Sequence, residues 1–71
     1  MWRWYYYQIL HQHPEGVKQD FFKSRCSLTA ERVAREYGIE IVGFREVTKD
    51  FVQREMRGAK TSDVYTYRKP N

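Results

Sequence analysis

The stretch Trp2-Arg3-Trp4-Tyr5-Tyr6-Tyr7 constrains this chain more than any other, because it puts rings on both sides of whatever strand it forms. Side chains alternate across a strand. Trp2, Trp4, Tyr6 and Leu10 therefore fall on one face, and Arg3, Tyr5, Tyr7 and Ile9 on the other. A strand at a wet surface shows one apolar and one polar face, whereas a strand apolar on both sides needs cover on both. The fold must supply two covers or leave one ring-bearing face for something else.

The rest of the chain shows which covers exist. Trp2 to Leu10, dense in aromatic residues, reads as the first strand. His11-Gln12-His13-Pro14-Glu15-Gly16 carries reversal chemistry, since proline fixes φ and glycine permits a positive one. Val17 to Cys26 reads as the returning strand, with Phe21 and Phe22 on opposite faces. A helix is predicted over Ala30 to Tyr37. Thr29 is its N-cap, Glu31 complements the dipole in its first turn, and Leu28 with Val33 forms a hydrophobic staple. Ala30, Val33, Ala34 and Tyr37 make one apolar stripe, Glu31/Arg35 and Arg32/Glu36 are i, i+4 pairs on the wet side, and Gly38 is the terminator.

Ile39 to Val47 follows as a strand. Lys49 to Arg57 reads as a short second helix, with Thr48 as cap, Gly58 as terminator and Phe51, Val52 and Met56 on one side. A reversal at Thr48-Lys49-Asp50 leading into another strand competes closely with it. After a polar loop from Gly58 to Asp63, Val64 to Arg68 reads as a last strand. The expected fold is α+β, a small antiparallel or mixed sheet in the order β-β-α-β-(α or β)-β, with one firmly marked helix packed on one face.

Residues 1–71 are read as a single domain, with Cys26 as the only cysteine, so no disulfide within the chain can staple it. Stability must come from packing, and aromatic residues make up 17% of the chain. Each buried ring takes roughly 150–250 Å² out of water, so a few of them can hold a small core. No apolar run reaches the ~18 residues of a membrane span, and the N-terminus has neither the apolar core nor the cleavage site of a signal peptide. A lone thiol without an export signal suggests the cytoplasm.

The net charge of +4 favours encounter with polyanions. With one marked helix, the Arg3-Tyr5-Tyr7 face is the one expected to stay open, because tyrosine tolerates water better than two neighbouring tryptophans. A second helix covering it, a homodimer built through it, or a partner docking on it would each resolve the surplus. The favoured function is a non-enzymatic binding module for nucleic acid, with tyrosines stacking on bases and arginines holding the backbone. The expected contact residues are Arg3, Tyr5, Tyr7, Arg25, Tyr65, Tyr67 and Arg68, with Lys23 and Lys69 nearby. Seven acidic residues spread from Glu31 to Asp63 weigh against it. The alternative is a protein-binding accessory or inhibitor of phage or plasmid type using the same face.

Other chemistries find little support. His11 and His13 share one face of a strand end, but the sequence shows no carboxylate positioned to orient either ring for acid–base work. His11, His13 and Cys26 could meet as zinc ligands across the hairpin, yet a structural site wants a fourth. Cys26 reads instead as a half-buried core thiol. Gly58-Ala59-Lys60-Thr61-Ser62 lacks the Gly-Lys pair of a phosphate loop. The β-rich run after Gly38 leaves no recognition helix for a helix-turn-helix. No cofactor is expected.

Overall fold

The structure is a computed structural model that describes residues 3–57 and 64–68. Its elements in chain order are β1 (Tyr5–His13), β2 (Gly16–Ser24), α1 (Ala30–Tyr37), β3 (Glu40–Val47), α2 (Lys49–Glu55) and β4 (Tyr65–Thr66). The strands form one four-stranded sheet in the order β3-β1-β2-β4. β1 runs antiparallel to both β2 and β3, while β4 runs parallel to β2. This is the expected α+β class, with a mixed sheet.

The hairpin is longer and tighter than its sequence suggests. Pairing of β1 with β2 continues to His13↔Gly16, so only Pro14 and Glu15 form the loop. Proline holds φ near −65°, which excludes the mirror-image turns that most two-residue hairpins use. Gly16, at φ 126°, absorbs the chain reversal instead.

Both helices begin where their caps dictate. The Thr29 hydroxyl accepts the Arg32 N–H at 3.2 Å, and Gly38 ends α1 at φ 64° with its N–H donating to the Ala34 carbonyl. The Thr48 hydroxyl likewise accepts the Phe51 N–H at 3.0 Å, and this makes residues 49–55 a helix rather than a strand. Met56 caps α2 at its C-terminal end. The expected terminator Gly58 and the polar loop to Asp63 lie outside the described residues.

Alternation along β1 and β2 delivers two interiors, one on each side of the sheet. On one side Tyr7, Ile9 and Phe22 pack with Leu28 and with Val33 of α1. On the other Tyr6 packs with Val52 of α2 and with Val64, edged by Trp4, Phe21, Val47 and Met56. The two helices thus lie on opposite faces, and each ring-bearing side of β1 has its own lid. α1 closes the Tyr5-Tyr7 side, which corrects the expectation that this side stays open, and α2 covers the Trp4-Tyr6 side.

β3 is bulged. Its register against β1 shifts between Leu10↔Gly43 and His11↔Ile41, so Val42 has no opposite residue on β1 and is 51% exposed. Gly43 next to it lies against Leu10, and a Cβ there would stand 3.0 Å from Leu10 Cδ1.

Candidate functional site

The seven residues expected to make contacts divide into several environments. Tyr7 is only 2% exposed, its ring stacked on Phe22 and Phe44 at centroid distances of 5.4 and 5.1 Å. Its hydroxyl accepts the Leu28 N–H at 2.9 Å. Tyr7 is therefore a core residue, and its expected role on an open platform is corrected. Tyr5 is half-buried against the same core.

Arg3 and Arg25 are exposed and sit where β1 begins and β2 ends. The Arg3 guanidinium lies 4.3 Å from the Tyr5 ring centroid and 3.5 Å from the Glu46 carboxylate. Across the hairpin, the Trp4 ring holds two cations, Lys23 Nζ at 5.0 Å and the Arg25 guanidinium at 5.2 Å. The pairing Tyr5↔Ser24 and Tyr6↔Lys23 creates this corner, because it places Trp4 and Tyr5 beside Lys23 and Arg25. Two cation–ring groups thus share one end of the sheet, Trp4 with Lys23 and Arg25 on one face and Tyr5 with Arg3 on the other. Trp4, placed by the sequence on the opposite face from Tyr5, is the ring that reasoning from faces did not select. Arg25 follows Ser24, the partner of Tyr5, and so comes level with Trp4.

The C-terminal residues do not form a second patch of this kind. Tyr67 is half-buried beside α1, where its hydroxyl donates to the Glu36 carboxylate. Glu36 also accepts from Arg32 Nε at 2.8 Å. Burial, followed by the bond to Glu36, pushes the Tyr67 phenol up to about 12. Arg68 is fixed through its backbone, whose N–H donates to the Tyr37 hydroxyl at 3.3 Å and whose carbonyl accepts from it at 2.7 Å. Tyr65 is 57% exposed. Lys69 lies outside the described residues.

A second feature is a cleft of about 460 Å³ on the α1 side of the sheet. Ile9, Phe22, Val33, Tyr37, Ile39 and Tyr65 supply its carbon walls. His11 and Asp20 stand on the same lining, 2.7 Å apart between Nε2 and Oδ2. An ionised carboxylate only accepts, so Nε2 carries the hydrogen of this bond. The sequence showed no carboxylate oriented toward His11, and the reason is the register: His11 faces Lys18, and Asp20 is its diagonal neighbour.

The same register separates the three imagined zinc ligands. His11 and His13 lie toward the loop end of the hairpin, and Cys26 follows Ser24 at the far end. Cys26 is exposed, which also corrects its reading as a half-buried core thiol. Among the described residues no group of three or more His, Cys, Asp or Glu could hold a metal ion, and no helix is long and apolar enough to cross a membrane. No family model, no curated protein and no solved structure matches the chain.

Proposed function

We propose that this protein is a non-enzymatic binding module that grips the phosphate backbone of nucleic acid at the Arg3–Trp4–Tyr5–Lys23–Arg25 corner. One observation carries the reading: the Trp4 ring holds both Lys23 and Arg25 at one end of the sheet, while Tyr5 holds Arg3 at the same end on the other face. Stacking engages the flat face of a guanidinium and leaves its in-plane N–H groups directed around the rim, where phosphate oxygens bind. A cation held on a ring also has less rotamer entropy to lose when it meets an anion. The net charge of +4 favours the encounter. The platform differs from a flat sheet of stacked tyrosines, because both faces of the sheet carry a helix at this end.

The test is fluorescence anisotropy of a dye-labelled single strand, in DNA and RNA versions with a duplex for comparison, titrated with the full chain over a range of salt. Three phosphate contacts predict a log–log salt slope of roughly −2 on single strands, and each change of Arg3, Lys23 or Arg25 to alanine should remove roughly 0.7 of it. Affinity indifferent to salt, or three alanine variants that bind like the parent, would refute the reading and favour a protein partner.

A further inference from the structure

The cleft on the α1 side is chemically distinct from the rest of the molecule. The protein carries a net charge of +4, yet among the described residues lining this cleft there is neither lysine nor arginine. The carboxylate among its described lining residues is Asp20, whose side chain is 66% exposed and whose Oδ2 is hydrogen-bonded to His11. The same lining includes the carbon of Phe22, Val33 and Ile39 and the tyrosines Tyr37 and Tyr65. Flat rings and aliphatic carbon favour a flat apolar body. A carboxylate on this lining favours a positive group at one end of that body, and the tyrosine rings of the same lining reinforce this preference.

The geometry points to a binding site for a small aromatic amine: a ring seated among Phe22, Val33, Ile39 and Tyr65, with its ammonium group against Asp20. His11 acts as a positioning residue here. Its Nε2–H fixes one carboxylate oxygen and leaves the second to accept from the ligand. This site is separate from the nucleic-acid corner and does not depend on it: His11 and Asp20 lie toward the loop end of the hairpin, and Arg3 and Arg25 at its opposite end.

Three probes that share one phenol ring separate charge recognition from mere apolar filling. Tyramine carries an ammonium, tyrosol a hydroxyl, and para-hydroxyphenylacetate a carboxylate. Each is titrated into the isotope-labelled full chain, with amide chemical shifts as the readout. Tyramine should move the amides of Ile9, Phe22 and Tyr65 and bind roughly fivefold tighter than tyrosol, with para-hydroxyphenylacetate weakest, as one charge-assisted contact to a largely exposed carboxylate implies. Asp20→Asn, at an exposed position that leaves the fold alone, should bring tyramine and tyrosol to equal affinity. Tyr65→Ala should weaken both together. Equal affinity for all three probes in the parent chain would overturn the proposal. So would a tyramine preference that survives Asp20→Asn, shifts confined to residues outside the cleft, or the absence of shifts at millimolar probe.

Discussion

The hydroxyl of Tyr7 accepts the backbone N–H of Leu28 at 2.9 Å, inside the core and two residues before α1 begins. One side chain therefore fills the interior and also anchors the entry to the helix that covers it. Tyr7→Phe keeps the ring and leaves the Leu28 N–H buried without an acceptor, which costs about 1–3 kcal/mol. Urea denaturation should show that loss, whereas Arg3→Ala, at an exposed position, should change stability by no more than about 0.5 kcal/mol. The contrast between the two distinguishes core from contact residue along one strand.

Burial of the Tyr67 phenol, with its bond to Glu36, gives a pH dependence of defined sign. The phenol rises from an ordinary 10.0 to about 12 in the folded protein. Between those values the folded chain keeps a proton that the unfolded chain has released, so stability falls as pH rises across that window. The contribution is complete below pH 10 and is lost as pH passes the folded value. Urea midpoints measured through this range should decline more steeply for the parent than for Tyr67→Phe.

The lid on the second face should respond to its cap. Thr48→Ala removes the acceptor for the Phe51 N–H and should cost about 1 kcal/mol. Val52→Ala opens a gap beneath α2, where Val52 is 1% exposed, and should cost about 2 kcal/mol. Amide exchange is the sensitive readout, because either change should speed exchange in α2 and, through the shared sheet, in α1 as well.

Close packing at the bulge predicts a coupled pair. Gly43→Ala puts a Cβ within 3.0 Å of Leu10 Cδ1 and 3.3 Å of Leu10 Cβ and Cγ. Alone it should destabilise by about 1 kcal/mol through overpacking. In a Leu10→Ala background the same substitution should cost less, since Cδ1 and Cγ are gone and only the Cβ contact at 3.3 Å remains. A double-mutant cycle by chemical denaturation measures the difference.

The helix signals were legible because they are local. Thr29 and Thr48 each bond a backbone N–H three residues on, and Gly38 supplies the left-handed turn, so α1 and α2 start where the sequence places them. What the sequence could not give was pairing between distant segments. Nothing in Val64 to Arg68 announces a parallel partner, yet β4 pairs with β2 through Phe22↔Tyr65 and Lys23↔Thr66. The side to which α1 would turn was equally hidden, and that choice decides whether Tyr7 lies inside or out. Asp20 and His11 met through a register set by a two-residue loop that proline disguised as a longer turn. Of the candidate corner, Arg3, Tyr5 and Arg25 were visible as residue types, but the role of Trp4 depended on how the chain leaves β2.

The short segment around β4 has a consequence for how the molecule comes apart. Val64 belongs to the interior beneath α2 and Tyr67 packs against the interior beneath α1, although only Tyr65 and Thr66 lie between them. Pulling this strip away would strip a residue from each side of the sheet at once, so neither half can melt while the other stays whole. Heating should accordingly give a single transition, with a signal from Trp4 and one from Tyr7 lost at the same temperature.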